Sequence, residues 1–237
     1  MTPSVHLARI YELLIATYGE PRNKPDYDPL GGLVGTILSQ HTSDINSDRA
    51  YQQLISIFHT WEQVRDAPTD EVANAIKSGG LANIKAPRIQ DALHILTERQ
   101  QTKGDSKSLS DYFYDELTHR SPEEAWHYLR SIPGVGPKTA ACVLMFNLNQ
   151  AVMPIDTHVY RTSRRLGLIG PKVSVDQAHT IFAKITPSDW VYPLHVNLIR
   201  HGRQICHAQR PKCAQCPLYN ECAYVGSVNP QETAIPS

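Results

Sequence analysis

The chain has 237 residues, enough for one or two domains, and 41% are hydrophobic, which supports a real core and argues against disorder. Its formal net charge is zero, yet residues 1–129 carry 12 Lys/Arg against 18 Asp/Glu, whereas 130–212 carry 11 Lys/Arg against only Asp156, Asp176 and Asp189. No apolar run approaches the roughly 20 residues of a membrane span, and the opening MTPSVHLARIYELL lacks a signal-peptide core. A cytosolic chain with one basic half suited to a polyanion is the expectation.

Helical periodicity dominates from the start. VHLARIYELLIATYG places Val5, Leu7, Ile10, Leu13, Leu14 and Tyr18 on one stripe, with Gly19 as the stop. PRNKPDYDP is a proline-rich connector, after which LGGLVGTILSQ resumes an apolar helix. SDINSDRAYQQLISIF predicts a helix with Ala50, Leu54, Ile57 and Phe58 at helical spacing. DEVANAIKSGGL reads as a short helix ended by Gly79 and Gly80, and KAPRIQDALHILTERQ as a helix with Ile89, Leu93 and Leu96 inward. SPEEAWHYLRSI opens with a capping box, Ser121 to Glu124, and Pro122 at the first helical position. DTHVYRTSRRLGLI, VSVDQAHTIFAKI and DWVYPLHVNLIRHGRQIC are three more helices. No alternating strand pattern of useful length occurs, so the fold class is all-α; residues 225–237 read as a frayed tail.

Between two of these helices lies IPGVGPKTA, residues 132–140. Gly134 and Gly136 permit positive φ and close backbone approach, and Pro137 suits the first helical position. A helix–GxG–helix unit leaves N–H groups unpaired at a positive helix end, which is a site for a phosphate. Lys138 then sits where that positive potential favours its neutral, nucleophilic form. With an ordinary pKa near 10.4 only about one lysine in 2,500 is neutral at pH 7, so a downward shift of about 2 units raises that fraction on the order of a hundredfold.

Four cysteines, Cys206, Cys213, Cys216 and Cys222, fall within 17 residues at C-x6-C-x2-C-x5-C spacing; Cys142 stands apart in an apolar helix and reads as core. A cytosolic chain argues against disulfides. Spacing alone leaves both structural zinc and a [4Fe–4S] cluster open. Arg200, Arg203, Arg210 and Lys212 surround the run, so a metal-held loop here would present cations.

Taken in order, LSQHTSD (38–44), GLANIKAPRI (80–89), IPGVGPKTA (132–140), PIDTHVYR (154–161) and the cysteine spacing resemble the endonuclease III family of DNA repair glycosylases, in the helix-hairpin-helix and Gly-Pro-Asp superfamily, over residues 5–224. The resemblance implies a six-helix barrel with the helix-hairpin-helix over 28–150 and a second helical lobe from 1–27 and 151–224. The cysteines would hold a [4Fe–4S] cluster, and DNA would lie against the cleft between the lobes. It implies that Lys138 and Asp156, 18 residues apart, are catalytic across that cleft, with DNA contacts at Gln40, His41, Leu81, Gly134, Gly136, Thr139, Arg203 and Arg210. Leu81 would be the wedge that offsets stacking lost when a nucleotide is flipped out, Asp156 the proton acceptor and cation stabiliser, and His158 a neighbour of that aspartate.

The implied activity is that of a bifunctional glycosylase and AP lyase acting on oxidised pyrimidines in double-stranded DNA. The implied protein is a monomer in the bacterial or archaeal cytoplasm, associated with the nucleoid and without a membrane partner. His41 departs from the glutamine usual at the gap, which opens a reading with specificity shifted to uracil or mispaired thymine. Thr36 stands where adenine glycosylases carry a catalytic glutamate, and Lys138 also argues against that monofunctional branch. A non-catalytic DNA-binding module is the remaining alternative, against which the pair Lys138 and Asp156 counts.

Overall fold

The structure, a computed structural model, describes residues 3–227. Those residues are helical, with no strand among them, as the periodicity predicts. They group into two units, one of residues 24–150 and one joining residues up to 23 with those from 151 onward. No helix among the described residues is long and apolar enough to cross a membrane.

The 24–150 unit begins with α2 (Pro29–Ser39), capped by Asp28, whose carboxylate accepts from the Gly31 N–H at 2.9 Å. It continues through α3 (Asp44–Ile57), α4 (Trp61–Asp66), α5 (Thr69–Ala75), a 3-10 turn over Lys77–Gly79, α6 (Ala82–Lys103), α7 (Leu109–Thr118), α8 (Pro122–Arg130) and α9 (Pro137–Cys142). α9 runs into a π turn over Val143–Asn147. α2 is the central helix, packing on α3, α7 and α9, while α6 packs on α4 and α5. Leu33, Ile37, Leu54, Ile89, Leu93, Phe113 and Leu144 fill its core, and Cys142 is buried as expected.

α4 and α7 escape the periodicity reading, although Leu109, Tyr112, Phe113 and Leu117 of α7 form a buried stripe. Their caps are nevertheless written locally: Thr60 accepts from Gln63 N–H and Ser108 from Asp111 N–H. The box opening α8 forms as predicted, Ser121 and Glu124 satisfying each other's backbone. α6 starts three residues earlier than its pattern suggests, at Ala82, and holds Pro87 in its second turn.

The other unit comprises α1 (Pro3–Tyr18), α10 (Thr157–Leu166), α11 (Val175–Ile185), α12 (Val191–Gln204), the cysteine loop and α13 (Ala223–Ser227). α12 packs on both α1 and α10. Leu7, Ile10 and Leu14 of α1 are buried as the stripe requires, and Tyr11 joins them, its ring stacked on Trp190 at 4.1 Å. Val5, at the start of that stripe, is exposed, as is Ile57 in the last turn of α3. Of the expected tail, residues 225–227 lie in α13 and residues 228–237 fall outside the described residues.

Candidate functional site

The hairpin between α8 and α9 is built by local turns. Ile132 is buried, the Val135 N–H donates to the Ile132 carbonyl at 3.0 Å, and Gly134 takes the left-handed conformation with φ +81°. Gly136 does not: at φ −81° and ψ 170° it is an extended N-cap that any residue adopts, so its expected positive φ is corrected. What glycine does at 134 and 136 is leave the backbone bare, since a Cβ at either position would meet nothing within 4 Å. Pro137 opens α9 as predicted, and Trp126 Nε1 donates to its carbonyl at 3.1 Å, tying the turn to α8.

Within the described residues the N–H groups of Gly134, Gly136, Lys138 and Thr139 make no backbone hydrogen bond. They form an open row of donors at a helix start. The Lys138 side chain is exposed on that first turn. Thr139 is only 5% exposed, so its hydroxyl is turned into the unit and what it can offer an anion is its N–H.

The same unit carries two exposed tips. After α2, half-buried Gln40 forms the C-cap, and His41 comes next in the left-handed region at φ +54° with its side chain exposed. After the Lys77–Gly79 turn, Gly80 and Leu81 are both left-handed, and Leu81 N-caps α6 with its side chain 49% exposed. Thr36 spends its hydroxyl on the Gly32 carbonyl at 2.8 Å.

Lys85 lies inside the GLANIKAPRI stretch, where no site role is expected of it. It is 1% exposed, and its Nζ donates to the carbonyls of Leu38 at 2.6 Å and Gly79 at 2.9 Å. A signal was nevertheless present: Lys85 lies one turn before Ile89 on the stripe that continues to Leu93 and Leu96, a cation on an apolar face.

In the other unit Asp156 is the N-cap of α10, accepting from the Val159 N–H at 2.7 Å. His158 is engaged by Arg161 (Nδ1 to Nη2, 3.0 Å) and packs close to Gly202. Arg161 also donates to the carbonyls of Cys206 and Gly202, fastening the end of α12 to α10.

Cys206, Cys213, Cys216 and Cys222 are all half-buried and line one narrow cavity with Arg165, Leu166, His201 and Tyr224. Burial pushes the Cys216 thiol up to about 11 and raises Cys213 and Cys222, the neighbouring cysteines adding to each. Arg165 donates to Cys206 Sγ at 3.3 Å and to the carbonyls of His207 and Ala208, while its guanidinium lies over the Tyr224 ring. His201 is fully buried, which lowers its pKa to about 4; its ring nitrogens meet the Tyr18 hydroxyl at 3.0 Å and Cys216 Sγ at 3.6 Å. Outside this pocket Arg200, Arg203 and Arg210 are exposed, Arg210 at φ +49°, and Arg200 donates to the Tyr18 carbonyl at 3.1 Å.

The chain matches the family model of the HhH-GPD superfamily base excision DNA repair proteins over residues 34–188. It is 32% identical over 204 residues to endonuclease III of Thermotoga maritima, covering 86% of this chain and 87% of that one. It is 32% identical over 196 residues to endonuclease III of Bacillus subtilis, covering 82% and 81%. A trapped endonuclease III–DNA covalent intermediate superposes with a TM-score of 0.73 at 26% identity, over 96% of this chain and 99% of that one. A thermostable thymine-DNA glycosylase, 17% identical with the same TM-score of 0.73, shares the fold. With its all-α fold and a helix-hairpin-helix bearing Lys138, the chain belongs to the HhH-GPD superfamily of base excision DNA repair proteins, as an endonuclease III-like DNA glycosylase.

Proposed function

We propose that the protein binds double-stranded DNA carrying a damaged base or an abasic site, excises oxidised pyrimidines, and nicks 3′ to the abasic site by β-elimination. The observation that carries the reading is Lys138, an exposed amine on the first turn after a hairpin whose backbone donors stand open to a phosphate.

A base inside a duplex is out of reach of that amine, so the nucleotide leaves the stack first, at a cost of about a few kcal/mol. Asp156 takes the ammonium proton of Lys138, and its charge stabilises the cationic sugar as the base departs. The Lys138 amine bonds to C1′ while the C1′–base bond breaks; the base leaves with the bonding pair and gains a proton. The resulting C1′ aminal opens as its C1′–O4′ bond breaks and O4′ takes a proton, leaving a C1′ iminium; this acidifies C2′, loss of a C2′ proton expels the 3′ phosphate, and water releases the sugar from Lys138. Gly134, Gly136 and the Lys138 and Thr139 N–H groups hold a backbone phosphate, Leu81 fills stacking space, and Gln40 and His41 face the estranged base.

The cysteine loop fits a [4Fe–4S] cluster held by Cys206, Cys213, Cys216 and Cys222. Four soft thiol donors line one cavity, and four cysteine thiolates are the donor set such a cluster takes. When bound, the cluster cross-links the loop that carries Arg210 and Lys212.

Borohydride, which reduces an imine to a stable amine, tests the central step. Wild type is expected to be trapped covalently on duplexes from a panel of thymine glycol, dihydrouracil, uracil, mispaired thymine and an abasic site, best on the oxidised pyrimidines. The Lys138→Gln protein is expected to bind and not to trap. Trapping of Lys138→Gln at the wild-type rate would overturn the assignment, and a preference for uracil or mispaired thymine would favour the shifted-specificity reading that His41 opens.

A further inference from the structure

Lys85 is an expensive way to fill a core position. An apolar residue of similar length would pack without the loss of hydration that a buried ammonium suffers. The structure uses the charge instead: Nζ bridges the Leu38 carbonyl, in the last turn of α2, and the Gly79 carbonyl, at the end of the 3-10 turn before α6. Carbonyls at helix C-termini lack intrahelical donors and carry partial negative charge, so one cation satisfies two such ends at once.

The residues just beyond the two carbonyls give the bridge a purpose. Three residues after Leu38 comes His41, and two after Gly79 comes Leu81, each a non-glycine residue held left-handed and each exposed. Such backbone is disfavoured for a residue with a Cβ and persists where its surroundings over-determine it. The two segments are also packed tightly: a Cβ on Gly79 would stand 3.0 Å from the Ala50 Cβ of α3 and 3.9 Å from the Leu38 carbonyl. Burial lowers the Lys85 pKa, which marks the desolvation that the bridge has to overcome.

We propose that Lys85 is a positioning residue for nucleotide extrusion, its ammonium locking the His41 tip to the Leu81 tip so that both enter the same gap in the duplex. The proposal rests on the glycosylase function proposed for the protein, because it presupposes that a nucleotide is extruded. Lys85 touches neither DNA nor the reacting atoms; it acts through the two loops. Removing it leaves two buried carbonyls unpaired and frees the tips to move apart, and misplacement of about an ångström costs on the order of 100-fold where geometry controls a step.

The test uses full-length protein in the Lys138→Gln background, which binds without turnover, and a lesion duplex with 2-aminopurine beside the lesion. Fluorescence reports unstacking, and anisotropy establishes that every complex is saturated. Lys138→Gln is expected to give a strong rise. Adding Lys85→Met is expected to cut that rise at least several-fold at saturation, and Lys85→Gln, which keeps an amide donor, to fall between the two. The loss from Lys85→Met combined with Leu81→Ala should be no larger than that from Leu81→Ala alone. If Lys85→Met melts below the assay temperature, Lys85→Gln carries the comparison at a temperature where it is folded. A full fluorescence rise in saturated, folded Lys85 variants overturns the positioning role while leaving the glycosylase function intact. No rise in the Lys138→Gln parent overturns that function and the positioning role with it.

Discussion

The carboxylate of Asp156 accepts the backbone N–H of Val159 at 2.7 Å, so the residue proposed to stabilise a cationic sugar is also the N-cap of α10. The two roles separate on substitution. Asparagine caps as well as aspartate, so Asp156→Asn should leave thermal stability nearly unchanged. Alanine removes the cap, and Asp156→Ala should lose about 1 kcal/mol. Both should slow base excision by about 100-fold or more, because both remove the charge. Cleavage of a pre-formed abasic site should suffer less, since no base has to leave. Single-turnover assays on the two substrates, beside melting curves, check this; excision at the wild-type rate by Asp156→Asn would remove the carboxylate from the chemistry.

The cysteine loop should bind about four irons per chain with matching sulfide. Anaerobic purification and then metal and sulfide analysis is the measurement, and one zinc with no iron is the contrary result. Without metal, thiols as buried as Cys216, pushed up to about 11, stay protonated at neutral pH. Replacing Cys216 with Ser should therefore cost cluster content and destabilise the unit it belongs to, as seen by protease sensitivity near residues 206–222.

Arg203 and Arg210 are exposed beside that loop in the basic part of the chain. If each neutralises one phosphate, its change to Ala should reduce the slope of log affinity against log salt by about 1. Preference among lesions should hardly move, because phosphate contacts position and base contacts specify. Titrations at several salt concentrations decide it, an unchanged slope counting against the contact.

Tyr51 makes an alkaline prediction. Burial, reinforced by Asp28 and then Asp26, pushes its phenol up to about 12 from the ordinary 10.0. A raised folded pKa means the neutral form is preferred in the fold, so this contribution is present in full below pH 10 and is lost as pH rises through 12. At pH 11 the loss should be about 1 kcal/mol. Urea midpoints at pH 9 and pH 11 should therefore fall further for wild type than for Tyr51→Phe; parallel falls would show that the phenol is not the cause.

Much of this protein is local and therefore legible in the chain. The capping box at Ser121, Pro137 at its helix start, the buried faces of α1 and α6, and Asp156 as a cap depend on residues three or four apart, which one turn of helix brings together. The motifs that mark the family are short and contiguous for the same reason. What only the tertiary structure decided lies in contacts between distant segments. Lys85 bonds to a carbonyl 47 residues away, and nothing within its own helix foretells that partner. Trp126 finds Pro137, Asn147 finds Asp26, and His201 finds Tyr18 across 183 residues. The left-handed backbone of His41 and Leu81 belongs with these, since local propensity disfavours it for any residue with a Cβ.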